Sequence, residues 1–179
     1  MTRTTFLTTM IALAAVTSGC ATNTPSPTAS AEQHCRATSF VPSFGEVDSC
    51  SVEAVLTVAV SAVFSYRPSD SADQRGSFRA ARPLMDSRFA EHAEYAALVW
   101  APVSATQWQQ WRTNVTTITA AARVTSDDHP ADTATAASRV LAIELEPSDQ
   151  PPISWAVYTR ATRANAASAW LLSGMEVLS

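Results

Sequence analysis

Residues 52–66 read VEAVLTVAVSAVFSY, and this stretch decides how the rest of the chain folds. Its apolar residues recur at steps of three and four, which is the period of one helix face. They are Val52, Val55, Leu56, Ala59, Val60, Val63 and Phe64. Ser51 is one of three candidate N-caps, and Pro68 excludes the helical conformation from Arg67. The stretch therefore predicts an amphipathic helix that covers a hydrophobic core.

Two further helices are predicted at residues 71–82 and 87–100. The first begins with a capping-box pattern, Ser71 with Gln74, and stops where Pro83 interrupts it. The second carries Phe89, Ala93, Ala96, Ala97 and Trp100 on one side. Residues 104–111 add a short helical turn.

After residue 114 the pattern changes to long runs rich in Thr, Val, Ile and Trp that alternate over part of their length. The runs cover residues 115–124, 133–145, 153–163 and 167–178, and they are separated by turn-like segments. Helices followed by sequential strands are typical of an α+β domain. We therefore predict three N-terminal helices packed on a curved, mostly antiparallel four-stranded sheet.

The N-terminal residues predict an exported protein. Arg3 is the only charge before an apolar run at residues 6–16, which is the layout of a signal peptide. The run is shorter than the roughly 20 residues that a transmembrane helix needs. We divide the chain into a signal peptide (residues 1–19), a tether rich in Thr, Pro, Ser and Ala (residues 20–34) and one domain (residues 35–179).

The letters TSGC at residues 17–20 resemble a bacterial lipobox, with Ser18 and Gly19 as its small residues and Thr17 in place of the usual leucine. The resemblance implies a diacylglyceryl group on Cys20 and a lipid anchor at the extracytoplasmic face of the cell membrane. An ordinary secretory signal, in which Cys20 is incidental, and an uncleaved tail are the alternatives.

With Cys20 assigned to lipid, Cys35 and Cys50 are left as a pair, for which export favours a disulfide. A metal site that begins with His34 and both cysteines would lack a fourth ligand nearby. Free thiols are the other alternative. The chain has 16 acidic residues against 12 arginines and a net charge of −4, which argues against nucleic-acid binding.

The order of elements resembles the cone-shaped fold of nuclear transport factor and the polyketide cyclases. The segments FSYRP (64–68), SADQRGSFRAARPLM (71–85) and WLLS (170–173) are similar to those of actinobacterial envelope lipoproteins and of proteins associated with mammalian-cell-entry transport systems. The resemblance implies a cleft between the helices and the concave sheet. The same fold forms extracytoplasmic domains of secretion and conjugation scaffolds, so it also implies a docking role.

No catalytic residue, metal or cofactor is assigned from the sequence, which contains no nucleophile elbow, phosphate loop or HExxH motif. The densest group of potential ligands is Asp127, Asp128, His129 and Asp132. Oxygen and imidazole ligands of this kind bind divalent cations, but the same residues are common in a solvated turn. We interpret the group as a turn.

Two groups of side chains are candidates for binding. Phe64, Tyr66, Tyr95 and Trp155 are candidate lining residues of a pocket for a small apolar ligand. A cyclase or isomerase would use the same cleft and would need a carboxylate opposite a tyrosine, for which Asp86 and Tyr158 are further candidates.

The second group is Arg75, Arg79 and Arg82, which form a stripe at helical spacing. On a lipid-anchored protein such a stripe can face the membrane, and an ion-paired or solvated face is the alternative. The function expected from the sequence is a non-enzymatic envelope protein that binds a protein partner of a transport or secretion system.

Overall fold

The computed structural model describes residues 35–126 and 128–178. The described chain is an α+β domain in which helices precede a four-stranded antiparallel sheet, and this confirms the predicted class. The helices are α1 (Val52–Phe64), α2 (Arg75–Ala81), α3 (Ser87–His92), α4 (Ala97–Trp100) and α5 (Ala105–Thr113). The strands are β1 (Ile118–Val124), β2 (Ala136–Pro147), β3 (Ile153–Thr162) and β4 (Leu171–Leu178). Short 3-10 turns occupy Pro42–Phe44, Arg82–Leu84 and Glu94–Ala96.

The sheet is a simple meander in the order β1-β2-β3-β4, and each strand is antiparallel to the next. Residues that pair across strands share a face of the sheet, because side chains alternate along a strand. The inner face, on which α1 packs, includes Ile143 with its partners Ala122 and Trp155. The cross-strand pairs one residue before and one residue after Ile143 have side chains that point away from α1, and such pairs form the outer face.

The core lies between α1 and the inner face of the sheet. One side of α1 is buried, as its sequence period predicts, and Val55, Leu56 and Phe64 are fully shielded from solvent. Ser51 caps the helix by accepting a hydrogen bond from the backbone N–H of Ala54 (3.2 Å). Burial of this apolar stripe, at about 25 cal/mol per Å², is the main force that holds the helix on the sheet.

The helix also closes one edge of the sheet. Two serine hydroxyls, those of Ser65 at the C-cap of α1 and of Ser61 within the helix, accept hydrogen bonds from the backbone N–H groups of Ala120 and Ala122 in β1, both at 3.1 Å. Tyr66 exchanges two backbone hydrogen bonds with Ile118, where β1 begins. Serines four residues apart on the helix therefore face N–H groups two residues apart on the strand, and these hydrogen bonds occupy part of the edge of β1.

The helical half differs from the prediction in two places. The predicted capping box is wrong, since α2 begins at Arg75 and the side chain of Gln74 makes no capping hydrogen bond. The chain before α2 instead packs against Gly76, where a Cβ atom would overlap the Ser71 hydroxyl. The predicted helix at 87–100 is divided into α3, a 3-10 turn and α4, with the break after His92.

The disulfide between Cys35 and Cys50 is present, with Cα atoms 5.7 Å apart, so that pairing is confirmed. The loop between the two cysteines packs Phe40, Phe44 and Val47 against the core, as its apolar residues predict. The predicted signal peptide, Cys20, the tether, His34 and Asp127 lie outside the described residues. Within the described ranges, no helix is long and apolar enough to span a bilayer.

Candidate functional site

The four predicted pocket-lining residues do not meet around one cavity. Phe64 and Trp155 form an edge-to-face pair with ring centroids 5.1 Å apart, and Phe64 is fully buried. Tyr66 packs instead against Trp108, with centroids 5.4 Å apart, and burial raises the pKa of its phenol. Tyr95 is 73% exposed. Aromatic packing therefore fills the core around Phe64, whereas Tyr66 and Trp155 each border a different surface concavity.

The described interior also lacks the carboxylate that cyclase or isomerase chemistry requires. Among the described residues, the buried polar and charged side chains are Ser49, Gln74, Thr116, Ser138, Arg139 and Thr159, and none of these is acidic. Asp86 caps α3 by accepting hydrogen bonds from the backbone N–H groups of Arg88 and Phe89. Tyr158 pairs with Val140 on the outer face of the sheet. No described carboxylate is thus buried opposite a tyrosine.

The arginine stripe is engaged in ion pairs. Arg75 holds both carboxylate oxygens of Asp73, at 2.7 to 3.1 Å, and these hydrogen bonds lower the pKa of Asp73. Arg79 and Arg82 share one partner, Glu94, at 2.9 and 2.6 Å. The arginines remain more exposed than this carboxylate, since their side chains are 52% and 44% exposed and that of Glu94 is 18% exposed.

One charged cluster is absent from the sequence prediction. Arg139 lies on the inner-face register of β2, and its side chain is only 9% exposed. Its guanidinium binds both oxygens of Asp132 (2.7 Å each) and donates to the Ser138 carbonyl (2.8 Å), while its Nε lies 3.4 Å from Glu53. The only sequence signal was a charge between Ala137 and Leu141, the apolar residues next to it on the same face of β2.

This cluster gives one residue of the acidic segment, Asp132, a structural role. Asp132 is committed to Arg139, which lowers the pKa of that carboxyl through hydrogen bonding. The Nδ1 atom of His129 lies 2.9 Å from the carbonyl oxygen of Pro130, which accepts a hydrogen bond from an N–H at that position. In residues 35–126 and 128–178, no group of three or more His, Cys, Asp or Glu side chains is arranged to hold a metal ion.

Three of the concave regions on the surface of the described residues are large enough to consider as binding sites. The first, which we call the sheet groove, has a volume of about 260 Å³ and crosses β1, β2 and β3. The outer-face residues in its lining are Ala121, Arg123, Ala142, Glu144 and Ser154. Three of these five are small, so the groove exists because the outer face lacks bulk at these positions.

The second concavity lies between α1, α2 and the start of β1 and has a volume of about 450 Å³. Hydroxyl side chains dominate its wall, including Ser65, Ser71 and Ser77, and several of them are already hydrogen-bonded to backbone groups. Arg67 and Asp70 stand at its exposed part. The third, of about 270 Å³, lies between residues 72–74 and α5 and is lined by Leu98, Val103 and Trp108.

The third region borders an exposed apolar surface. Tyr95, Leu98 and Val99 are 73%, 37% and 77% exposed, and we call these three residues the helical patch. Half of the large hydrophobic side chains that are exposed in the described chain belong to it; the others are Val41, Val115 and Val177. Sequence reasoning missed the patch because it treated residues 87–100 as one helix with a single apolar side.

No protein-family model matches the sequence, and no curated protein is similar enough to match it. Among solved structures, the fold is similar to that of CagV, a VirB8 homologue of the type IV secretion system from Helicobacter pylori strain 26695. The two chains are 14% identical with a TM-score of 0.40, and the match covers 72% of this chain and 96% of that chain. A likeness at this level assigns no residue and no role.

Proposed function

We propose that this chain is a lipid-anchored protein of the cell envelope, without catalysis, that docks onto a protein of a transport or secretion system. The observation that carries the proposal is the core between α1 and the sheet, which aromatic pairs fill and in which no described carboxylate is buried. The concavity that Tyr66 borders is open at the surface, and the carboxylate in its lining, Asp70, is exposed. A domain of this kind offers its surface to a ligand rather than an enclosed reaction site.

The docking surface that we assign is the sheet groove on the outer face. Helices cover the inner face, whereas in the described chain no helix covers the groove, and its small side chains leave the strand backbone accessible. Arg123 and Glu144 provide one charge of each sign beside the apolar floor, as at an interface with a polar rim. The partner chemistry that fits is an apolar protein segment flanked by charged residues.

The anchor is the second part of the proposal. It rests on the resemblance of residues 17–20 to a lipobox and is supported by the disulfide, because disulfides persist outside the cytoplasm. Cells grown with an alkyne fatty acid should label the wild-type protein and not the Cys20→Ala variant. Equal labelling of both, with the variant still on the membrane, would contradict the lipobox.

The docking role is tested by co-purification of the full-length protein from mildly solubilised membranes. Ala142→Glu fills the groove with a side chain that can pair with Arg123, its cross-strand neighbour, so the fold should tolerate it. Ala164→Glu changes an exposed turn outside the groove and serves as the control. We expect a membrane protein to be recovered with the wild type and the control but not with Ala142→Glu.

Two results would refute the proposal in different ways. Recovery of the partner with Ala142→Glu at the wild-type level would remove the sheet groove as the docking surface. Recovery of the protein alone, with a lipid or other small apolar molecule detected by mass spectrometry, would favour a carrier. A cyclase or isomerase role would require a carboxylate in the reaction site, and the described interior offers none.

A further inference from the structure

The segment that contains the helical patch is apolar on both of its sides. Tyr95, Leu98 and Val99 follow the helical spacing of i, i+3 and i+4 and face outwards, while Ala97 and Trp100 are buried in the core. A surface helix of a soluble domain normally has a polar outer side. An exposed apolar patch of this kind marks a surface that meets a protein or a membrane.

The charged side chains beside the patch are Arg75, Arg79 and Arg82 with Asp73 and Glu94, so positive charge exceeds negative charge by one. The guanidinium of Arg75 lies 5.2 Å from the ring centre of Tyr95. Arg79 and Arg82 share the single carboxylate of Glu94, which leaves one positive charge in excess. The two arginine side chains are also more exposed than Glu94. Because the whole chain carries a net charge of −4, this local excess of positive charge is opposite in sign to the rest of the protein.

The patch is small, and this argues for a bilayer rather than a folded partner. Stable protein interfaces bury about 800 Å² on each partner, far more than three side chains supply. A lipid interface requires no matching shape, and it accepts apolar side chains together with a tyrosine whose hydroxyl stays in the headgroup layer. Arginines beside such side chains attract anionic headgroups.

The length of the chain before the domain brings the patch within reach of the membrane. Fourteen residues, 21–34, separate the predicted lipid attachment at Cys20 from Cys35, and a connection of that length reaches at most about 50 Å. Confinement to this distance raises the effective concentration of the patch at the bilayer, so even a weak contact would be populated. This step rests on the anchor of the proposed function.

We infer that the helical patch is a membrane contact, in which Leu98 and Val99 enter the interface of an anionic bilayer beside Arg79 and Arg82. The contact fixes the orientation of the anchored domain. It is separate from the sheet groove, which uses the strands on the opposite side of the sheet from α1.

The contact is tested with the full-length protein in vesicles of phosphatidylcholine that contain about a quarter phosphatidylglycerol. Val99→Cys and, as a matched control, Val41→Cys are labelled with an environment-sensitive fluorophore. The native cysteines do not react, since Cys35 and Cys50 are paired and the sulfur of a lipid-modified Cys20 is a thioether. Val41 is 49% exposed and lies outside the patch. We expect a blue-shifted emission and quenching by spin-labelled lipid at position 99 and neither at position 41.

Removal of charge provides a second measurement. Arg79→Gln leaves Arg82 paired with Glu94 and cancels the excess charge, which should lower the ratio of inserted to free label about fivefold in anionic vesicles. In vesicles of phosphatidylcholine alone the substitution should have no effect. Equal signals at positions 99 and 41 would overturn the inference, and so would a blue shift that appears without vesicles and grows with protein concentration, which would indicate a second copy.

The anchor can fail separately. A wild-type chain that does not float with the vesicles lacks the lipid, which contradicts that part of the proposed function. Full-length chains that carry Cys20→Ser together with Val99→Cys or Val41→Cys, so that the label goes only to the introduced cysteine, are then held by an N-terminal hexahistidine on nickel-chelating lipid, which provides an equivalent tether. Insertion of position 99 in that arrangement supports the membrane contact, and its absence overturns it.

Discussion

Replacement of Asp132 by asparagine should destabilise the domain by about 2 kcal/mol near neutral pH. The carboxylate binds two nitrogens of the Arg139 guanidinium at 2.7 Å, and the arginine side chain is only 9% exposed. Breaking a fully buried ion pair costs about 3–5 kcal/mol, because the remaining charge is left without a partner. We expect a smaller loss here because the Asp132 side chain is 40% exposed, so water screens part of the interaction. Glu53 stays 3.4 Å from Arg139 and compensates in part.

The destabilisation by Asp132→Asn should also depend on pH. Hydrogen bonding to Arg139 lowers the pKa of Asp132 in the folded state. The ion pair therefore contributes its full stability above the ordinary carboxyl pKa of about 3.9, and the contribution is lost as the pH falls through the lower pKa of the folded state. The difference in unfolding free energy between the wild type and Asp132→Asn should be largest near neutral pH and should close in acid.

The measurement is urea unfolding followed by tryptophan fluorescence at several pH values. Asp128→Asn is the matched control, since Asp128 is exposed in the same loop and makes no ion pair in the described part of the chain. This control should behave as the wild type does. Two results would contradict the prediction: Asp132→Asn is as stable as the wild type at neutral pH, or the difference in unfolding free energy does not shrink in acid. Either result would show that the pair between Asp132 and Arg139 does not stabilise the fold.

Three further changes have expected effects on urea unfolding. Gly76→Ala should lose about 1–3 kcal/mol, because the new methyl group overlaps the Ser71 hydroxyl, and the loss should shrink in a Ser71→Gly background; an unchanged midpoint would mean that the 71–76 turn adjusts freely. Val115→Asn should gain about 1 kcal/mol, since a β-branched residue is strained at a φ of 55° whereas asparagine tolerates it, and a loss of stability would contradict this. Joint replacement of Cys35 and Cys50 by serine should lower the free energy of unfolding by about 3 kcal/mol relative to the wild type under oxidising conditions, and by nothing under reducing ones. If the double variant is as stable as the wild type under oxidising conditions, the crosslink is dispensable.

The helices and strands whose hydrophobic residues recur at a regular spacing could be predicted from the sequence. The stripe of α1 and the order of the four strands follow from hydrophobic periods of 3.6 and 2, which depend only on nearby residues. The β3 prediction at residues 153–163 agrees with the observed Ile153–Thr162, and that at 115–124 begins three residues before β1. Boundaries differ because Tyr66, far away in sequence, determines where the pairing of β1 begins.

The charged clusters of the candidate functional site were less predictable, because their ion pairs join residues that are distant in sequence. Glu94 binds arginines 12 and 15 residues earlier, and Arg139 meets Glu53 across 86 residues. The sequence of residues 87–100 gives no sign of the break between α3 and α4, since every residue there is compatible with a helix. It also does not decide whether Tyr95 and Val99 face the core or the solvent. The pairing of Cys35 with Cys50 was predictable because export and cysteine number alone favour it.

The position of the disulfide has a mechanical consequence for a domain held by the N-terminal anchor that we propose. Any pull transmitted from the residues before Cys35 passes through the sulfur bridge to Cys50, which directly precedes the cap of α1 at Ser51. The loop at residues 36–49 is bypassed by the bridge, so the force does not act on the hydrogen bond between Arg36 and Ala167. Force enters the fold at the helix that is most deeply embedded in it, and α1 distributes that force over the sheet. Reduction of the bridge would move the point of attachment to the outermost loop, where the domain would begin to unravel under tension.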